Sequence, residues 1–123
     1  FLVSLSSNLY VVIYHRNHVA AISANPIIVL NEIGNYNFSS GESKVLGGNL
    51  GHKEIATGIW GLTAGDSNGD GNINELDKQN DWDQHAGTNG YKSADLSFDS
   101  QIDNTDKNEF WIFNLGFLSR VPQ

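Results

Sequence analysis

The sequence predicts an α+β chain in two parts: an antiparallel β-sandwich-like part over residues 1–60 and a pair of loop–helix units over residues 61–123. Three observations carry this reading. Short runs of β-branched and aromatic residues, separated by Gly, Asn and Ser, occupy the first part. An oxygen-rich pattern of twelve residues occurs twice in the second part, at 66–77 and, 29 residues on, at 95–106. Each copy runs into a helix-competent stretch that stops at a glycine, Gly87 and Gly116.

Taken in order, residues 9–16 combine Val11, Val12 and Ile13 with Tyr10 and Tyr14 and are too short for an ordinary helix, which predicts a strand. Residues 19–24 and 27–30 are two more, with the turn-favouring pair Asn25-Pro26 between them. Further short strands are expected at 36–38, 44–46 and 55–60. The apolar residues Phe1, Leu2, Val3 and Leu5 also read as a strand. Such a strand can pair with its own sheet or with the sheet edge of a neighbouring molecule, and the second arrangement grows a filament. The chain opens at Phe1 without a methionine, which predicts a piece cut from a longer polypeptide.

The twelve-residue pattern sets side-chain oxygens at places one, three, five, nine and twelve, with isoleucine at eight. A hard divalent cation takes about 6 to 8 oxygen ligands, and an EF-hand loop delivers them in this order. Loop one would use Asp66, Asn68, Asp70, the carbonyl of Asn72, Asn74 and Asp77. Loop two would use Asp95, Ser97, Asp99, the carbonyl of Gln101, Asp103 and Asp106. The expected cofactor is therefore Ca2+ at two sites. Gly71 fills the sharply turned sixth place, whereas loop two has Ser100 there and is expected to carry backbone strain. Ile73 and Ile102 would point inward and tie each loop to a core. The duplication continues past the ligands: Lys78 matches Lys107, and Trp82 matches Trp111.

Upstream of each loop lie glycine-rich stretches, residues 58–65 and 87–93, that disfavour an entering helix. A calcium loop with only an exiting helix, repeated in tandem over residues 65–116, resembles the type I dockerin module found at the C-terminus of large secreted bacterial surface proteins. The resemblance implies antiparallel helices, one calcium per loop and non-covalent docking on a cohesin partner. The family's small hydroxylated recognition residues at places ten and eleven are represented here by Glu75, Leu76, Asn104 and Thr105, of which only Thr105 fits. Calcium binding carries over; cohesin docking does not.

Composition narrows the function further. The formal charge is −7, and residues 66–109 hold most of the acidic side chains against only Lys78, Lys92 and Lys107, which excludes nucleic acid as a partner. No apolar run reaches the roughly 20 residues of a membrane span, so no membrane insertion is expected. With no cysteine, disulfides and zinc thiolates are excluded, and calcium can act as the staple of an extracellular or cell-surface protein. His15 and His18, with His52 and His85 elsewhere, have no spacing that enforces a transition-metal site. No nucleophile elbow, zinc helix or phosphate loop occurs, so the chain is not expected to be an enzyme.

The expected function is a non-catalytic assembly module stabilised by two calcium ions, in which Trp82, Phe110 and Trp111 share a core and association is with other copies or a cohesin-like partner. The alternative is a carbohydrate-binding or cohesin-docking module of a larger secreted enzyme or adhesin. In that case a polysaccharide would meet Tyr10, Tyr14, Tyr36 or Trp60.

Overall fold

The computed structural model describes residues 8–122. The expected strand at residues 1–5 lies outside the described residues. Among the described residues the chain is α+β, with six short strands and two helices. Strands β1 (Val12–His15) and β2 (His18–Ile22), β3 (Ile28–Leu30) and β4 (Ile33–Asn35), and β5 (Lys53–Ala56) and β6 (Ile59–Gly61) pair two by two into three separate sheets. The expected sandwich is replaced by these hairpins, and the reason is local. Gly58, at φ 73°, turns the chain in the middle of the run expected as one strand over 55–60 and makes it the β5/β6 hairpin. Asn31 and Glu32, at φ 50° and 66°, form a turn with both central residues left-handed, so β3 is followed at once by its own partner. Residues 36–38 continue past β4 without strand pairing, and of the strand expected over 44–46, Lys44 ends a short 3-10 turn (Glu42–Lys44) while Val45 makes a single antiparallel bridge to Ser23.

The chain divides into two compact units. The first comprises the described residues up to Ile13, Ala21–Gly61 and the tail from Arg120. Its buried residues include Ala21, Ser23, Val45 and His52. The amide of Ser23 bonds the carbonyl of Val11, and that of Leu46 the carbonyl of Ile22. The His52 ring lies against Trp60, with Nδ1 2.9 Å from the carbonyl oxygen of Gly48, so this histidine closes a turn.

The second unit comprises Tyr14–Ala20 and Leu62–Ser119. The helical segments Glu75–Asp77, Lys78–Trp82 and Asp83–His85 follow one another without a break and form one helix, α1, over 75–85. Helix α2 covers 104–114, with Asp106–Trp111 and Ile112–Asn114 as its main segments. Both have a π-type middle turn, and both stop at a left-handed glycine: Gly87 at φ 82° and Gly116 at φ 84°. The core joins Val19, Ile73, Leu96 and Trp111, with Phe110 and Phe117 packed against it. Trp82, expected in this core, is half-buried outside it, because its indole is directed to the other loop.

Candidate metal centre

Loops one (66–77) and two (95–106) fold on the same hydrogen-bond frame. In loop one, the twelfth-place carboxylate accepts from two amides: Asn68 N–H donates to Asp77 Oδ1 at 3.2 Å and Asn74 N–H to Oδ2 at 2.8 Å. In loop two, Ser97 N–H donates to Asp106 Oδ1 at 2.9 Å and Asp103 N–H to Oδ2 at 2.9 Å. The first-place carboxylate accepts from the sixth-place amide in both, Gly71 N–H to Asp66 at 2.9 Å and Ser100 N–H to Asp95 at 3.1 Å. The fifth place accepts from the seventh, Asn72 N–H to Asp70 and Gln101 N–H to Asp99. The ninth accepts from the eleventh, Leu76 N–H to Asn74 and Thr105 N–H to Asp103. Asn74 and Asp77 together make a capping box, so the last oxygen donors of the loop also start the helix.

Burial follows the frame as well. Asp66, Asp77, Asp95 and Asp106 are buried, while Asn68, Asp70, Asp99 and Asp103 face outward. Burial pushes the Asp66 carboxyl above the usual carboxylate range; the Gly71 amide pulls it down, and the neighbouring Asp70 adds to the rise. Burial likewise pushes Asp77 up, opposed by the Asn74 and Asn68 amides and reinforced by the charges of Asp66 and Asp70. Asp66 thus feels the charge of Asp70, and Asp77 the charges of both. Among the described residues, no three His, Cys, Asp or Glu side chains converge as an ion-holding group, because these carboxylates are turned to backbone amides.

The donor set nevertheless fits a hard cation. Asp66 is 3 % exposed and its Oδ1 is buried without a hydrogen-bond partner, so a charged acceptor stands in a loop of further oxygen donors. Such an atom is of the kind that an ion with oxygen preference accepts as a ligand. Asp66, Asn68, Asp70, Asn72, Asn74 and Asp77 could hold it in loop one, and Asp95, Ser97, Asp99, Gln101, Asp103 and Asp106 in loop two.

The two loops are cross-linked through each other's helices, which the sequence reading missed. Trp82 of α1 donates from Nε1 to the carbonyl of Asp103, the ninth place of loop two, at 2.8 Å. Trp111 of α2 donates to the carbonyl of Asn74, the ninth place of loop one, at 3.0 Å. The tails cross in the same way: Gly87 N–H bonds Ile102 O and Gly116 N–H bonds Ile73 O, each at 2.8 Å. All of these pairs share the offset of 29, so the duplicated spacing of the tryptophans was the signal available.

Two further residues were missed. Phe98, in the fourth place of loop two, has φ 62° where loop one has Gly69 at φ 76°. Its ring stacks on His18 and meets His15 edge-on, with centroids 5.7 and 5.8 Å apart. Asn17, fully buried, donates from Nδ2 to the carbonyls of Ser93 and Asp95, both at 2.9 Å, and so fixes the entry to loop two. In the sequence Asn17 stands out only as a member of the polar cluster of His15, Arg16 and His18, with no sign of its contact with loop two. His15 and His18 contact each other through Nδ1 at 2.9 Å, and His18 Nδ1 also lies 2.8 Å from Asn17 Oδ1.

Comparison with protein-family models, with curated proteins and with solved structures finds no match. Among the described residues, no helix is long and apolar enough to cross a membrane.

Proposed function

We propose that the chain is a non-catalytic, extracellular or cell-surface assembly module whose second unit is stapled by two calcium ions in a dockerin-like pair of loop–helix units. The observation that carries the reading is the repeated hydrogen-bond frame of the two loops, with the unpartnered Asp66 Oδ1 inside the first. Calcium in each loop would neutralise carboxylates that otherwise repel one another and would fix the starts of α1 and α2. Binding energy becomes folding energy in such a design. At free calcium a hundredfold above Kd, each site adds about 2.7 kcal/mol to stability. Extracellular modules have Kd values of roughly 0.1 to 1 mM.

Association with other copies, or with a protein partner, is supported by the first unit. Its β3/β4 hairpin exposes Ile28, Leu30 and Ile33 by 73 %, 69 % and 62 %. An apolar hairpin of this kind marks an interaction surface. The test is calorimetric titration of the chelated full chain with calcium, paired with thermal melting. The reading expects two ions per chain and a melting temperature that rises with calcium and drops in chelator. Absence of binding heat together with unchanged melting would overturn it.

A further inference from the structure

We propose that the tip of the β1/β2 hairpin and the chain entering loop two form a binding site for a uronic-acid sugar, with Arg16 receiving its carboxylate and Tyr91 and Phe98 lining its ring. All of these residues belong to the second unit. The starting observation is an unsatisfied cation. Arg16 Nε and Nη1 are buried and have no hydrogen-bond partner. Leaving charged donors buried and unpaired is costlier than leaving neutral ones, so the site is incomplete as the chain alone builds it. The chain has 14 acidic residues, yet among the described residues no carboxylate pairs with the buried Nε and Nη1 of Arg16.

The surroundings select the ligand. The Tyr91 ring lies 3.6 Å from the Arg16 guanidinium carbon and is itself 87 % exposed. Entry of a ligand to the guanidinium would require that ring to swing aside, at the cost of one stack. Phe98, also exposed, lies 5.7 Å from the same carbon, and its left-handed backbone and its stack on His18 hold it in place. Lys92, next to Tyr91 in the chain, adds a second cation to the patch within an acidic chain. Burial first, and then the charges of His15 and Arg16, pull His18 down to about 4, so this ring stands beside Arg16 as a neutral imidazole. A planar guanidinium recognises a carboxylate, and exposed aromatic faces accept the C–H face of a pyranose. A hexuronate carries both groups on one ring. A peptide carboxylate would use the arginine and leave the aromatic faces idle.

The experiment titrates the full chain, in calcium, with digalacturonate, with the neutral dimer galactobiose and with a blocked glutamyl dipeptide, following calorimetric heat and the NMR signals of the Tyr91 ring. Digalacturonate is expected to bind at least tenfold tighter than either comparison ligand and to shift the Tyr91 signals. Arg16→Gln should reduce its affinity more than tenfold. Tyr91→Ala should weaken digalacturonate severalfold without weakening the dipeptide, whose carboxylate needs only the guanidinium that the ring covers. Unchanged affinity in Arg16→Gln, equal binding of galactobiose, or a dipeptide that binds as tightly as the uronate would each overturn the proposal. If Arg16→Gln melts early, the Tyr91→Ala comparison decides alone.

Discussion

At Ser100 the backbone takes φ 69°, in the place where loop one uses Gly71 at φ 82°. A side chain in the left-handed region costs on the order of 1 kcal/mol, so Ser100→Gly should stabilise the chain by about that amount, read as a higher urea midpoint at unchanged m-value. The same argument does not extend to Phe98, whose ring stacks on His18 and would be lost with the strain. Ile73 is fully buried beside Trp111, and Ile73→Ala should cost about 2 to 5 kcal/mol by leaving a cavity. His18 supplies a pH test. Burial, then His15 and Arg16, pull its pKa from 6.5 to about 4, so the folded chain takes up its proton less readily than the unfolded chain does. Stability from this residue is complete above about pH 6.5 and falls as the pH drops towards 4. His18→Gln should flatten that part of the stability profile relative to the parent chain; identical slopes would contradict the assignment. Ser100 was legible because the loop pattern demands a turn at its sixth place. Phe98 was hidden because that pattern leaves the fourth place open, and only aligning it with Gly69 exposes the strain.

The elements that matter most are the two helices, and their role lies in what they reach across to. Trp82 and Trp111 each donate to the ninth-place carbonyl of the opposite loop, so neither loop is framed by its own helix alone. Removing one such hydrogen bond while keeping the ring costs about 1 kcal/mol. Trp111→Phe should therefore lower stability by that order and weaken calcium at loop one, whereas Trp82→Phe should weaken it at loop two. Titration of each variant, with the two binding steps resolved by calorimetry, checks the crossing. Weakening at the helix's own loop would refute it. Helix positions, their glycine stops and both loops were readable from a repeat with one offset. The crossing was not, because a repeat fixes the equivalence of residues but not which copy each one contacts. The strands were the weaker part of the reading. Runs of three to five residues pair with whatever the next turn presents, and the left-handed turns at Asn31-Glu32 and Gly58 made hairpins where longer strands were expected.

For the molecule as a whole, the two units face different demands. Both loops lie in the second unit, so calcium should slow amide exchange there, at Asn68, Asn74, Ser97 and Asp103, whose N–H groups bond the twelfth-place carboxylates. The amides of Ser23, Ala24 and Leu46 in the first unit should exchange at rates independent of calcium. The first unit has a separate problem, because its β3/β4 hairpin is three residues a side and exposed along both strands. A two-stranded hairpin is marginal in water by itself, and Ile28, Leu30 and Ile33 add apolar surface that water disfavours. The proposed association would relieve both costs together by covering that surface. Ile28→Lys with Leu30→Lys should therefore leave monomer melting nearly unchanged, since both side chains are exposed already, while reducing self-association at least tenfold in sedimentation velocity. Charges on an edge hairpin oppose strand addition directly. Association that persists undiminished in the doubly substituted chain would exclude this hairpin as the contact.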